Sequence, residues 1–428
     1  LRGERKCTSG KKPLSYDAYK ELARVLLKKA TQERCKAYMF AHTYLVLTWN
    51  LVCRTKTTEA INLRHLRWDQ DSLVVTIPKS KTDQTGAKAT HDKHIYANPS
   101  NPAICPILSL SLFFAITQPS TTNVVDFPNL FEGGDQSSRF SKILTKLFKL
   151  NDDDMTTLHI LIPDPKEIGP HSIRKGAATF LANASTAGPS HATVLNRGNW
   201  SAGVMDRDLY SERAGDCYAG RILTGLPVHH TNFSLTCAKF NEPVSHHIIE
   251  DVFPGFAAFG SLGALLQRCL ATIVYHKDFL VETLDSTHPI FTNPILVHRS
   301  RLSALAARVT AQNAPDGACT GIPPHTVILK GLRSVHETLQ NHIQSGSVTQ
   351  APFLPLCKVH LIRTWHSLFK TFLNSLAPRT VILQQPMTMK CRQLLESLQR
   401  FGQLSSAGQT ATITCPPTIN SQEGPSFP

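Results

Sequence analysis

A histidine and an arginine three residues apart at the head of a helix put an imidazole and a guanidinium on one face, one turn from each other. His171 and Arg174 stand so in His171-Ser172-Ile173-Arg174-Lys175-Gly176-Ala177-Ala178-Thr179, and a phosphate is the group such a pair suits. A phosphodiester carries its charge on two non-bridging oxygens, and in a pentacoordinate transition state that charge grows where a bidentate guanidinium can hold it. Arg54, closing Asn50-Leu51-Val52-Cys53-Arg54, is a second arginine for the same task. An imidazole titrates near neutrality, which fits His171 either to take a nucleophile's proton or to hydrogen-bond a non-bridging oxygen.

Lysine suits general-acid work, because it can donate to a departing 5′ oxygen and its proton affinity falls readily among other cations. Lys81 and its rival Lys79 lie in the hairpin-like Pro78-Lys79-Ser80-Lys81-Thr82-Asp83-Gln84-Thr85-Gly86. A tyrosine phenol, with an ordinary pKa near 10, needs cations around it before it can attack phosphorus. Tyr210, about ten residues after Trp200, is the favoured nucleophile, and Tyr218 is the alternative. Trp200, in Arg197-Gly198-Asn199-Trp200-Ser201, has one N–H to give a phosphate and a ring to pack on a neighbouring helix. Taken singly, each of these has an ordinary structural reading: a surface arginine, a solvated lysine pair, a satisfied histidine, a core tryptophan.

The chain of 428 residues is long enough to bury more than one core, and its length suggests two or three domains. Its net charge of +14 points to a polyanionic partner, since a basic surface gains affinity by releasing counterions from nucleic acid. The longest apolar stretch, residues 262–284, is interrupted by Arg268, His276 and Lys277, so no membrane span is expected. Eleven cysteines, none in a Cys-x-x-Cys pair, argue against a structural zinc site and a secreted disulfide framework, and for a reducing compartment. Leu1 in place of Met leads us to expect a fragment or mature piece of something longer, without a signal peptide.

Periodicity supplies the elements that must position these groups. Helices are expected over residues 15–29 with Ser15 as N-cap, 32–50, 57–65, 104–116, 139–149 and from His171 onward. Residues 73–78 read as a strand, 83–86 as its turn, and 94–96 as the return strand. Residues 151–154 and 163–170 read as a loop leading to the His171 helix. Helices are expected again over 262–284, 300–311 and 325–343, with two more amphipathic stretches at 361–376 and 390–401. The Thr-, Ser-, Pro- and Gly-rich end, 408–428, reads as disordered. In Gly321-Ile322-Pro323-Pro324-His325 a loop enters a helix with proline in its first turn.

Arginine, hairpin lysine, His-x-x-Arg, tryptophan and tyrosine, in that order, resemble the active site of the tyrosine recombinases, the DNA strand-exchange enzymes. Lys81-Thr82-Asp83-Gln84-Thr85-Gly86 is close to the Lys-x-Asp-Gln-x-Gly signature of Crypton-type recombinases, carried by eukaryotic mobile elements. The gap of about ninety residues from Lys81 to His171 also agrees with the family. Many members have histidine at the place of Trp200, and some have tryptophan. The family often has an acid three residues after its first arginine; here Thr57 takes that place and Glu59 stands two further on.

The resemblance covers residues 14–226 and implies a fold mainly α with a small antiparallel β-sheet (α+β), an integrase-like catalytic domain shaped as a C-shaped clamp on duplex DNA. Residues 240–345 would be a helical extension and 346–428 an irregular, partly disordered tail. Full enzymes usually carry a helical domain before the catalytic one, and too few residues precede Ser15 to form it here. The implied catalytic set is Arg54, Lys81, His171, Arg174, Trp200 and Tyr210, acting through a 3′-phosphotyrosyl bond without metal or other cofactor. The implied partners are double-stranded DNA and further copies of the chain in a tetrameric synapse, in the nucleus and away from membranes. Two alternatives stay open: a decayed or domesticated DNA-binding protein that keeps the clamp without the chemistry, and a type IB topoisomerase, which would use similar residues on one duplex but usually lacks the Lys-x-Asp-Gln hairpin.

Overall fold

The computed structural model describes residues 11–77, 92–122, 125–183, 185–200, 213–311 and 321–344. Its first helix, α1 (Tyr16–Lys28), starts where expected: the Ser15 hydroxyl accepts the Ala18 N–H at 3.2 Å, and the Tyr19, Leu22, Ala23 and Leu26 stripe is buried. α2 (Cys35–Leu51) is apolar nearly all round and buried on every side, which places it at the centre. Around it pack α1, α4 (Pro106–Ile116), α5 (Gln136–Leu147) and α7 (Pro170–Asn183). Tyr19 stacks on Trp49 at 4.1 Å between ring centres, and the Trp49 indole N–H donates to the Leu223 carbonyl at 3.1 Å. His42, buried between the Ser109 hydroxyl and the Ala103 carbonyl, each at 2.8 Å, is pushed down by burial to about 4 and stays neutral.

A three-stranded antiparallel sheet, β1 (Leu66–Asp69), β2 (Ser72–Thr76) and β3 (Asp92–Ile95), lies in strand order with Val75 opposite both Leu66 and Lys93. The apolar, β-branched run that signals β2 is lacking in the short β1, Leu66-Arg67-Trp68-Asp69; Gln70, at φ +53°, makes the turn between them. The 57–65 helix is shorter than expected, a five-residue α3 (Thr55–Glu59) followed by a single 3₁₀ turn at Leu63–His65. Residues 151–154, read as loop, instead open α6 (Asp153–Leu161), where Asp153 and Asp154 favour the positive end of the helix dipole. Asp154 then binds Lys28 at 2.7 Å and Lys29 at 3.1 Å, tying α6 to the end of α1.

Two further short helices, α8 (His191–Gly198) and α9 (Arg213–Leu223), follow α7. Beyond them come β4 (Lys239–Phe240), α10 (His246–Val252), α11 (Gly263–Tyr275), α12 (Lys277–Thr283), α13 (Pro294–Val297), α14 (Arg299–Ala306), β5 (Val309–Thr310) and α15 (Pro324–Gln344). The 262–284 helical stretch divides at His276, and the one expected over 300–311 stops at Ala306 because β-branched Val309 and Thr310 pair with β4. α11 packs on α4 and β1, and one hydrophobic core runs from Leu14 to Leu305. The described residues are thus mainly helical with small antiparallel sheets, as the α+β expectation has it. No described helix is long and apolar enough to cross a membrane. The 346–428 tail lies outside the described residues.

Candidate active site

α2 ends in a strained turn. Val52, fully buried, takes φ +52° and ψ +27°, a left-handed conformation that costs a residue with a Cβ about 1–2 kcal/mol. The reversal delivers Cys53 and Arg54 to the head of α3, where Arg54 sits half-buried in extended conformation at the N-cap position. α7 approaches from the other side. A Cβ on Gly176 would fall 1.9 Å from the Leu14 carbonyl oxygen, so only glycine lets α7 pack on the segment before α1, where Leu14 N–H donates to Ser172 O at 3.0 Å. That register leaves His171 exposed and turns Arg174 inward, 8% exposed.

Arg174 meets three things there. Its Nη2 donates to the Gly198 carbonyl, its guanidinium carbon lies 4.7 Å from the centre of the Trp200 ring, and the charge of Arg54 acts on it. Burial first, and Arg54 second, hold its pKa below that of an ordinary arginine. Its Nε is buried with no hydrogen-bond partner among the described residues. Trp200 reaches this place because α8 closes with Gly198 and Asn199, the latter left-handed at φ +50°, as a C-cap asparagine tolerates. A Cβ on Gly198 would sit 2.2 Å from the Trp200 ring, so the ring lies directly on the glycine.

Beneath the arginines runs a buried polar frame. Arg197, 1% exposed, gives Nη1 to Asp216 Oδ1 at 2.5 Å and Nη2 to the carbonyls of Asn50 at 2.7 Å and His94 at 3.0 Å. Asp216, on α9, also accepts the His94 backbone N–H at 2.7 Å and faces His94 Nδ1 at 2.9 Å. Burial alone would raise the Asp216 carboxyl; the Arg197 charge and the His94 bonds outweigh it and hold it well below the usual range. For His94, burial opposes the charged form, but Asp216 lifts it to about 9. Lys93, 1% exposed on β3, donates to the carbonyls of Leu51, at 3.2 Å, and Arg197, and burial lowers its pKa. α9 sits so close to β3 that a Cβ on Gly220 would come within 2.2 Å of the His94 carbonyl oxygen.

Outside the arginines opens a groove of about 750 Å³ between α5 and α7. Thr55, next to Arg54, lines it with Ser137, Ser141, Thr145 and Lys149; Lys11, Lys166 and His171 face them over a floor of Leu144, Phe148 and Ile168. Asp164 is the carboxylate in its lining. Hydroxyls and cations in this proportion suit a polyanion's backbone. Among the described residues no three His, Cys, Asp or Glu side chains gather as metal ligands would.

No protein-family model matches the chain, and no curated protein matches it. A solved structure is similar: an FLP recombinase in a Holliday-junction complex, with a TM-score of 0.40 and 13% identity. The match covers 60% of this chain and 63% of that one, so the chain spans less than two thirds of that structure's length.

Of the residues expected to act, Arg54 lies near enough for its charge to act on Arg174, Trp200 lies over Arg174, and His171 lines the same groove as Thr55. Lys81, Lys79 and Tyr210 lie outside the described residues. Tyr218 donates its hydroxyl to the Ala187 carbonyl and packs edge-on to Phe233 at 5.7 Å, and burial raises its phenol, opposite to what a nucleophile needs. Glu59 directs its carboxylate to the Ser137 N–H at 2.9 Å and to Lys56 at 3.0 Å, joining α3 to α5. The supporting frame of Lys93, His94, Arg197 and Asp216 was missed in the sequence. One signal for it existed: Lys93 precedes His94-Ile95-Tyr96 in a strand otherwise apolar enough to be buried, and a buried cation demands partners.

Proposed function

We propose that this chain cleaves and rejoins DNA strands by the tyrosine-recombinase route. The observation that supports it best is that Arg54 and Arg174, from separate segments, lie near enough for the charge of one to act on the other, the second lidded by Trp200, while Thr55 beside Arg54 and His171 on the helix of Arg174 line a basic groove. Two like charges so placed need an anion, and a phosphodiester offers two charged oxygens. In this reading the Tyr210 oxygen attacks phosphorus, the bond from phosphorus to the 5′ oxygen breaks, and Lys81 gives that oxygen its proton. A 3′-phosphotyrosyl bond results, and a 5′ hydroxyl of the partner strand reverses it. His171, exposed at the groove, takes the phenol's proton or binds a non-bridging oxygen. Tyr218 already gives its hydroxyl to the Ala187 carbonyl, which favours Tyr210 as the nucleophile in this reading. The Lys-Thr-Asp-Gln-Thr-Gly hairpin favours a Crypton-type mobile-element recombinase, working in the nucleus as a tetrameric synapse on duplex DNA.

The test uses nicked suicide duplexes with randomised sequence beside the nick. The full chain should form a protein–DNA adduct that survives denaturant without magnesium, and Tyr210→Phe should abolish it by removing one oxygen. Arg174→Ala should slow it by about a hundredfold or more, by analogy with loss of an oxyanion donor. An adduct that persists in Tyr210→Phe and vanishes in Tyr218→Phe would move the nucleophile; duplex binding with no adduct from any sequence would leave a DNA-binding protein without the chemistry.

A further inference from the structure

The carbonyls that Lys93 joins belong to the backbone segment that leads into Arg54 and to the α8 end on which Arg174, from α7, rests. The Leu51 carbonyl immediately precedes Val52, whose left-handed turn throws the chain into Arg54. The Arg197 carbonyl immediately precedes Gly198, whose own carbonyl accepts Arg174 and whose surface carries the Trp200 ring. We propose that Lys93 is a positioning residue, a latch between the C-terminus of α2 and the C-terminus of α8 that sets the separation of Arg54 and Arg174. The inference rests on reading these arginines as the holders of the phosphate.

The geometry favours this over a plain helix cap. The last carbonyls of any helix lack intrahelical partners and attract cations, and one cation per terminus would satisfy them. Here a single ammonium serves two termini at once. Arg197 runs the same connection in reverse, reaching from α8 to the Asn50 carbonyl beside Leu51. Lys93 is 1% exposed and its amine is turned to backbone, so it does not touch the groove. The charge of Arg174 acts on Lys93 nonetheless, and Cys53 acts on both. Removing the latch lets the α8 end, and Arg174 with it, drift from the α2 turn.

The experiment compares the full chain, Lys93→Met and Arg174→Ala on suicide duplexes with either a normal phosphate or a methylphosphonate at the cleaved position. Lys93→Met should bind duplex DNA as the parent does but form the adduct on the order of a hundredfold more slowly, the cost of roughly 1 Å of misplacement. A methylphosphonate lacks the charged oxygen that the arginines hold, so on it the loss in Lys93→Met should shrink toward parity, as it should in Arg174→Ala. An equal loss on both duplexes means a general defect of the fold and overturns the proposal. Normal adduct formation in Lys93→Met, with Arg174→Ala impaired, also overturns it and leaves the recombinase reading intact. Where the parent itself forms no adduct, that reading fails, and the latch is judged on guanidinium NMR signals: those of Arg54 and Arg174 should shift in Lys93→Met while that of Arg24, on the far side of α1, stays. Unmoved signals refute the latch.

Discussion

Raising the pH should loosen the frame beneath the arginines through His94. An unfolded imidazole titrates near 6.5, and in the fold Asp216, 2.9 Å away, together with Cys217 outweighs burial and lifts His94 to about 9. Each tenfold in proton affinity is worth about 1.4 kcal/mol, so protonated His94 contributes about 3 kcal/mol through these partners together. Because the folded value lies above the unfolded one, that contribution is whole below about pH 6.5 and is lost as pH rises through 9. The His94 side chain is only 6% exposed, so solvent screens little of it, and against a typical total of about 5–15 kcal/mol it is a large share. The assay is urea unfolding of the parent and of His94→Gln at a series of pH values from about 6.5 to 9.5. Their difference removes the thiols and lysines that titrate in the same range. The parent should lose about 3 kcal/mol relative to His94→Gln across the series. A difference that does not change with pH would refute the ion pair. At the acid end the sign reverses: Asp216, held low, contributes stability above its ordinary value near 4 that drains away on acidification.

Trp200→Ala should slow adduct formation about tenfold, because a cation over an indole is worth about 0.5–2 kcal/mol, while Trp200→Phe retains part of the rate in single-turnover kinetics. Gly198→Ala, whose new methyl would fall 2.2 Å from that ring, should destabilise the chain by about 1–3 kcal/mol by thermal unfolding and impair cleavage more than Trp200→Phe does. Lys149→Ala and Lys166→Ala, both on the groove, should each weaken duplex binding and reduce the slope of log affinity against log salt by about 0.9; an unchanged slope would take that lysine off the DNA path.

Reading ahead from residue types worked where one side chain's chemistry is the message. Ser15 caps α1, the His-x-x-Arg pair opens α7, and the lone Arg54 finds Arg174. It failed where meaning depends on distant partners. Asp216 looks like a surface acid beside a candidate tyrosine until Arg197 and His94 close on it. Asp153 and Asp154 suggest a loop by polarity, yet they start α6 because its dipole and Lys28 and Lys29 reward them. β1 alternates apolar and polar residues but is only four residues long, Leu66-Arg67-Trp68-Asp69, too short for the pattern to stand out, and its Arg67 turns to Asp69 and to Asp92.

What the sequence could not disclose also explains why the arginines are available. Three acids of this part of the fold are engaged elsewhere: Asp216 with Arg197 and His94, Glu59 with Ser137 and Lys56, Asp71 with Arg221. Arg174 is left with a carbonyl and an aromatic face, neither of which cancels its charge, and Arg54 has no carboxylate partner among the described residues. A fold selecting for stability alone would gain by pairing such half-buried cations with acid, because an uncompensated charge away from water is expensive. It would also avoid the left-handed Val52 that presents Arg54. Both costs fall at the same place, and the frame beside them, three cations around one carboxylate, commits its single acid to Arg197 and His94 and leaves none for the two arginines. The missing counter-charge is then a ligand's to bring, and for the phosphodiester proposed above its arrival would meet donors already held in place, the condition under which electrostatic stabilisation of a phosphorane is strongest.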